Sequence, residues 1–315
     1  MKYLSLFTGI GGFELGIQYA TNNLRPIQPS ISERAENQHD TSDELQQWEC
    51  VGYSEIDKYA IQVYQSHFNH TNYGDITKIK AEDLPDFDFL CGGFPCQSFS
   101  IAGKRGGFAD TRGTLFFDIA RILKAKRPRL FLLENVKGLL SHDEGRTFGT
   151  IISTLDELGY DLQWEVLNSK NFGVPQNRER VFIVGNLRRT SRPKVFPITG
   201  ESQDDTRITG TEVARSLDAN YFKGVSPNGH QGSTRQLVQL NQPTHSNEPS
   251  FTLTSQDKHG ISDGIKIRRL TPKECERLQG FPDDWTACVS DSQRYKCCGN
   301  AVTVNVIQAI MERLL

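Results

Sequence analysis

No Cys-x-x-Cys pair occurs in this 315-residue sequence, and its seven cysteines (50, 91, 96, 275, 288, 297 and 298) form an odd set. Both features argue against a disulfide framework and against a zinc site, so reduced thiols and no metal are expected. Apolar runs of membrane-spanning length are also missing. Tyr3-Leu4-Ser5-Leu6-Phe7 is too short for an anchor or a signal peptide and runs straight into glycines. A cytoplasmic protein with no membrane contact is the expectation. Nor is there an excess of basic residues. The net charge is -2, which taken alone speaks against a nucleic-acid partner. Its distribution is uneven, however. Residues 1–100 carry 6 Lys+Arg against 14 Asp+Glu, residues 101–200 carry 17 against 10, and residues 201–315 carry 13 against 14. A basic middle on an acidic chain is compatible with a phosphate-facing surface, because backbone neutralisation is local, and equally with a solvated charged face.

With 37% hydrophobic and 23% charged residues, the chain has the composition of a globular protein with room for one large domain and a smaller one. Short apolar runs at Tyr3–Phe7, Cys50–Tyr53, Phe87–Cys91, Leu130–Leu133, Glu165–Leu167 and Val181–Val184 read as strands. Helical spacing separates several of them, as in Leu115–Lys124 and Phe148–Leu158. This alternation predicts an α/β fold, a mostly parallel sheet with helices on both faces. Cys50 and Cys91 sit within strand-like runs and are expected to pack in the core. Residues 25–47 form a polar insertion. From about Arg188 to Lys266 the composition turns to Gly, Ser, Thr, Asn, Gln and Pro, a candidate second, loop-rich domain. Helical pattern returns at Pro272–Leu278 and Val302–Leu314, so residues 267–315 are expected to return to the first domain, residues 1–187.

The strand-ends carry the chemistry. Phe7-Thr8-Gly9-Ile10-Gly11-Gly12 is a glycine-rich turn leading into a helix near Phe13, which lets backbone approach a ligand. A purely structural turn has the same pattern, and the spacing departs from Gly-x-Gly-x-x-Gly. Glu55 follows the second strand, where a ribose would be gripped, and Asp75 could serve an adenine amine. Either acid could as well be a cap. Cys96 lies in Gly92-Gly93-Phe94-Pro95-Cys96-Gln97-Ser98 after the third strand, and Glu134 follows the fourth. In open α/β sheets, ligands bind outside the carboxyl ends of the strands.

Five motifs stand in the order found in DNA cytosine-5 methyltransferases: Phe7-x-Gly9-x-Gly11-Gly12, Pro95-Cys96-Gln97, Glu134-Asn135-Val136, Gln176-x-Arg178-x-Arg180 and Gly299-Asn300. Arg268-Arg269-Leu270-Thr271-Pro272 with Leu278-Gln279-Gly280-Phe281-Pro282 is similar to the family segment that closes its variable region. The resemblance covers nearly the whole chain outside residues 25–47 and 188–266. It implies a Rossmann-like S-adenosylmethionine-dependent methyltransferase fold with a smaller target recognition domain at 188–266. It also implies transfer of a methyl group to carbon 5 of a cytosine in double-stranded DNA.

Under that resemblance Cys96 is the nucleophile, Glu134 the acid at N3 of the base, Arg180 the holder of O2, and Arg178 a helper at the base and adjoining phosphates. Phe7, Gly9, Gly11, Gly12, Glu55, Ile56, Asp75, Ile76, Asn300 and Ala301 would surround S-adenosylmethionine. Asn300 could also be a plain N-cap of the last helix. DNA contacts are expected from Gln97, Ser98, Lys104, Arg105, Arg112 and Gln176, with Ser98–Arg112 a glycine-containing lid over the extruded base. In the variable region Asn220, Lys223, Asn228, Gln231, Arg235, Gln256 and Lys258 have the chemistry to read base edges. A monomer is expected, with a cognate restriction endonuclease, if any, acting separately. A transfer-RNA cytosine-5 methyltransferase has a reduced recognition region and a silent DNA-binding relative would have lost Cys96 or Glu134, so both fit less well. A nicotinamide-dependent oxidoreductase leaves Pro95-Cys96-Gln97 unexplained.

Overall fold

The computed structural model describes residues 1–21, 48–95, 115–191, 193–198 and 270–315, and the backbone of four short strands between 214 and 268. The insertion 25–47, the residues Cys96, Gln97, Ser98, Lys104, Arg105 and Arg112 with the expected lid, and the seven candidate base readers of the variable region lie outside the described residues.

Six strands make the main sheet: β1 (Lys2–Leu6), β2 (Glu49–Ser54), β3 (Phe89–Gly93), β4 (Leu130–Val136), β5 (Tyr160–Asn168) and β7 (Glu179–Leu187), the last preceded by the two-residue β6 (Gln176–Asn177). Their order is β2-β1-β3-β4-β7-β5. The first four are mutually parallel, and β7 runs antiparallel to both β4 and β5. Side chains alternate across the pleat, so each strand feeds two cores. On one face Leu4, Leu6, Leu90, Phe131, Leu133 and Ile183 pack with Ile119, Ile122 and Leu123 of α3 (Leu115–Lys126) and Ile151 and Leu155 of α4 (Arg146–Glu157). On the other, Tyr3, Phe89, Leu130, Leu132 and Val184 pack with α1 (Gly12–Thr21) and α7 (Val304–Leu314) through Phe13, Ile17, Ile307 and Ile310. Gly16 is pressed against α7, where a Cβ would come within 2.6 Å of Ile307. Thus the C-terminal helix completes the sheet begun by the first strand. Among the described residues no helix is long and apolar enough to cross a membrane.

Three local readings change. Strand β3 runs two residues further than its apolar pattern, through Gly92 and Gly93, which pair with Leu133 and Glu134. A Cβ on Gly92 would lie 2.7 Å from the Leu6 carbonyl oxygen, so close strand approach demands the residue whose low strand preference hid it. Strand β5 is longer than Glu165–Leu167 because it forms the half-exposed edge, where apolar alternation is weak. Helices α2 (Lys58–Gln65) and α6 (Asp291–Asn300) lacked a legible signal. Helix α6 buries Tyr295, Cys297, Cys298 and Gly299 in a mostly polar segment, a poor amphipathic pattern. It is held to α5 (Pro272–Leu278) by Arg294, which reaches the fully buried Glu276 at 2.9 Å.

Candidate active site

Strand β1 lies between β2 and β3, so the chain leaves it toward one side and later returns on the other. The crevice opposite its carboxyl end is therefore the topological switch point of the sheet. A cleft of about 610 Å3 opens there. Its lining draws on the turn after β1, the ends of β2, β3 and β4, and the end of α6.

The turn after β1 is held in an uncommon conformation. Phe7 has φ 53°, a left-handed value that a bulky residue adopts only when its surroundings enforce it. Gly9 follows at φ 58° with open space where a Cβ would stand, so its backbone faces the cleft unshielded. The Gly9 N–H donates to Glu55 Oε2 at 2.9 Å, while Glu55 Oε1 accepts from the N–H groups of Ile56 and Asp57 at 2.8 and 2.9 Å. These bonds aim the carboxylate from the end of β2 across the cleft at the turn. Ile56 is 73% exposed and apolar, a platform on the cleft wall, and the buried Ile76 lines the same cleft. Asp75 caps a short 3-10 turn through the Thr77 N–H and hydroxyl, which hold its carboxyl below the usual carboxylate range with help from Lys78. It lines the same cleft.

Glu134 and Arg180, which also line the cleft, face each other across the β4–β7 pair. Arg180 Nε lies 3.0 Å from Glu134 Oε1, with the two side chains only 18% and 12% exposed. Burial lowers the Arg180 pKa, and the Glu134 carboxylate opposes that shift. Gly93 makes room for this pair, since a Cβ there would sit 2.9 Å from Glu134 Oε2. The neighbouring Asn135 is buried, and its Nδ2 donates to the Phe94 carbonyl at 2.9 Å, fixing the backbone that leads into Pro95. Pro95 lines the cleft and directly precedes Cys96 in sequence.

Phe7, Gly9, Glu55, Ile56, Asp75, Ile76, Glu134, Arg178, Arg180 and Asn300 thus share one cleft. Five expected site residues are placed differently. Gly11 and Gly12 are buried turn residues that let Phe68 and Val302 pack close, and neither lines the cleft. Ala301 is likewise buried. Gln176 is fully buried, and its Nε2 donates to the Leu278 carbonyl at 2.6 Å, so it ties the central and C-terminal segments together and has no surface to offer DNA. Arg178, expected near phosphates, is also buried. Its Nη2 donates to the carbonyls of Gly299 and Ala301 at 3.3 and 2.9 Å, bracketing Asn300. Arg178→Met is expected to lower stability by about 1–3 kcal/mol, since buried carbonyls would lose a charged donor, and urea unfolding would register the loss. Asn300 itself ends α6, and the N-cap of α7 is Thr303, so the cap reading of Asn300 is set aside.

Residues absent from the sequence reading also line the cleft. Asp57 caps α2 and pairs at 2.5 Å with Lys296 of α6, linking two segments 239 positions apart. Lys296 lies one helical turn before Asn300, a spacing that only a recognised helix would have revealed. Among the described residues there is no cluster of His, Cys, Asp and Glu that could hold a metal.

The chain matches the model of the family described as C-5 cytosine-specific DNA methylase over residues 1–247 and 198–315. It is 41% identical over 332 residues to the Type II methyltransferase M1.ScrFI of Lactococcus lactis subsp. cremoris, covering 100% of this chain and 78% of that protein. It is 34% identical over 341 residues to the Type II methyltransferase M.HhaI of Haemophilus parahaemolyticus, covering 98% and 93%. Among solved structures, S. pombe Dnmt2 methyltransferase superposes with a TM-score of 0.68 at 19% identity, covering 100% of this chain and 98% of that one, a likeness of fold alone. With a cleft at the switch point and these relatives along its full length, the chain belongs to the C-5 cytosine-specific DNA methylases, which are S-adenosylmethionine-dependent enzymes.

Proposed function

We propose that this protein methylates carbon 5 of a cytosine extruded from a specific site in double-stranded DNA, by way of a covalent bond between Cys96 and carbon 6. The observation that carries the reading is the Glu134–Arg180 pair at the strand ends, opening onto the same cleft as Glu55 and the Phe7–Gly9 turn. The cleft suits S-adenosylmethionine by its residues: an exposed apolar Ile56 for a flat base, a carboxylate at Glu55 for hydroxyl groups, and another at Asp75 for an amine. When bound, that molecule supplies an electrophilic methyl group.

The chain's own groups then have defined tasks. Carbon 5 of cytosine is a weak nucleophile. Addition of the Cys96 thiolate to carbon 6 forms the S–C6 bond and moves the ring's electrons toward carbon 5 and N3. Glu134, within the cleft wall, donates a hydrogen bond or proton at N3 and so stabilises the adduct. Arg180, charged and positioned by its contact with the Glu134 carboxyl group, holds O2. After carbon 5 has taken the methyl group, its proton passes to water, the C–H electron pair restores the C5–C6 double bond as the S–C6 bond breaks to return the thiolate, and the N3 proton goes back to Glu134. Carbon 5 is inaccessible inside a stacked duplex, so extrusion must precede addition. The reading assigns target recognition to residues 188–266, closure over the base to Ser98–Arg112 with Lys104, Arg105 and Arg112 at phosphates, and Gln97 beside the nucleophile. It describes a cytoplasmic monomer, with any companion endonuclease acting as a separate protein. The Type II names of the similar proteins favour DNA over transfer RNA.

The test is incubation with labelled S-adenosylmethionine and a mixture of duplex DNA and transfer RNA, followed by base-resolution mapping of 5-methylcytosine. Label is expected at one short DNA sequence context. Label confined to transfer RNA, or absent from both, would overturn the proposal.

A further inference from the structure

The acidic residue in the first turn of α1 is the most deeply buried carboxyl group among the described residues near the cleft, yet it does not line that cleft. Glu14 is 0% exposed. Its Oε1 accepts from the Thr8 hydroxyl at 2.6 Å and from the Tyr64 hydroxyl at 3.2 Å. The Thr8 oxygen accepts in turn from the Ser5 hydroxyl at 2.9 Å, and Tyr64 meets His70 Nδ1 at 2.8 Å. Donors and acceptors are consistent along the whole chain if His70 carries its proton on Nδ1: His70 to Tyr64, Tyr64 to Glu14, Thr8 to Glu14, Ser5 to Thr8. Ser5, Thr8, Glu14 and Tyr64 are all buried. Glu14 Oε2 has no hydrogen-bond partner among the described residues. Burial raises the Glu14 pKa against the pull of these hydrogen bonds, and Tyr3, Cys50 and Cys91 around it add no compensating cation.

A carboxyl group is costly to bury where apolar packing would serve, so the local question is what it holds. Thr8 stands between Phe7, with its left-handed backbone, and Gly9, whose N–H is committed to Glu55. Main-chain bonds to Thr8 are few and long: its N–H reaches Ser54 O at 3.3 Å and its carbonyl accepts from Gly11 at 3.2 Å. The 2.6 Å side-chain bond to Glu14 is the shortest tie on that residue. A strained turn persists only when its surroundings over-determine it, and here the buried side is where that determination lies.

We infer that Glu14 is a positioning residue that, through Thr8, holds the Phe7–Gly9 turn in the shape that receives the cofactor. The inference rests on the reading of the cleft as the S-adenosylmethionine site. Glu14 touches neither substrate nor reacting atoms, so its loss should appear as weakened cofactor binding with the chemical step retained.

The test uses the 315-residue chain and three variants, two of them of near-equal volume to the residue replaced. Thr8→Val removes the hydroxyl and keeps the shape, and Glu14→Gln keeps an acceptor for Thr8. Calorimetric titration with S-adenosylhomocysteine is expected to show Kd raised about tenfold for Thr8→Val, the scale of one lost hydrogen bond to a buried carboxyl group. Thr8→Ser should recover most of that loss, and Glu14→Gln should fall between wild type and Thr8→Val. In the methylation assay Thr8→Val should raise KM for S-adenosylmethionine by a similar factor while kcat and the Kd for DNA stay within about twofold. Thr8→Val that binds S-adenosylhomocysteine as tightly as wild type would overturn the inference, as would a fall in kcat with KM unchanged. Failure of the wild-type protein itself to bind S-adenosylhomocysteine would instead strike the reading of the cleft.

Discussion

Replacing Cys96 by serine is expected to reduce methyl transfer by on the order of 10^6, the scale at which removal of an enzyme's nucleophile shows. Serine keeps the shape and the hydrogen-bonding capacity of the side chain but not its chemistry. A thiol is several per cent ionised near neutral pH, whereas an alcohol is not, and the attack on carbon 6 needs the anion. Every other thiol of described position is excluded as a substitute by its surroundings. Cys91, Cys275 and Cys298 are buried with pKa values pushed up by desolvation, and Cys50 and Cys297 are pushed up to about 12. Cys288 is exposed but sits beside Ser66, away from the cleft lining. Labelled DNA methylation measured with saturating cofactor decides the matter, and full activity in Cys96→Ser would end the covalent mechanism. DNA binding by gel shift should persist, because the serine variant loses a bond to the base rather than contacts to phosphates.

The second large effect is expected at Glu134. Glu134→Gln should slow methyl transfer by a factor of about 100 or more, the usual scale of positioned acid-base assistance, while leaving DNA affinity within a few-fold of wild type. The substitution is close to isosteric, and the glutamine carbonyl oxygen can still accept from Arg180 Nε, so the 3.0 Å contact keeps its geometry while the transferable proton is lost. That separates proton transfer from mere positioning. Glu134→Ala, in contrast, would leave Arg180 as a mostly buried cation without its carboxylate, and removal of one member of a buried pair costs about 3–5 kcal/mol. A thermal-melt comparison should therefore show the alanine variant clearly less stable than the glutamine variant. Equal methylation rates for wild type and Glu134→Gln would remove Glu134 from the acid role. A double variant with Arg180→Met should lose less than the sum of the single losses, because the two side chains act on one base from one hydrogen-bonded unit.

The apolar runs of β1, β3, β4 and β7 were legible because those strands are buried on both faces, where composition alone marks them. Glu55 was legible as the residue that follows β2, whereas Glu134, read as following the fourth strand, lies inside β4 because pairing with β7 carries that strand on to Val136. Helices α2 and α6 were not legible, for α6 buries its cysteines and a tyrosine against other segments rather than presenting a periodic stripe. The Asp57–Lys296 pair was out of reach for the same reason, as no local rule joins residues 239 positions apart.

The Gln176-x-Arg178-x-Arg180 run shows where the division falls. The family resemblance gave the three side chains different tasks, DNA for Gln176, the base and adjoining phosphates for Arg178 and O2 for Arg180, while residue type fixed only that amide and guanidinium groups stand there in that order. The tertiary structure separated them. Strand pairing breaks at Arg178, between β6 and β7, so the regular two-residue alternation does not carry through. Gln176 is drawn to the Leu278 carbonyl, Arg178 to the carbonyls of Gly299 and Ala301, and Arg180 alone meets Glu134. The partners of the first two come from the C-terminal segment, a hundred or more positions away. Chemistry is a property of the side chain and can be read in one dimension. Its direction is set by whichever buried donor or acceptor must be satisfied, and that partner exists only once distant segments have packed.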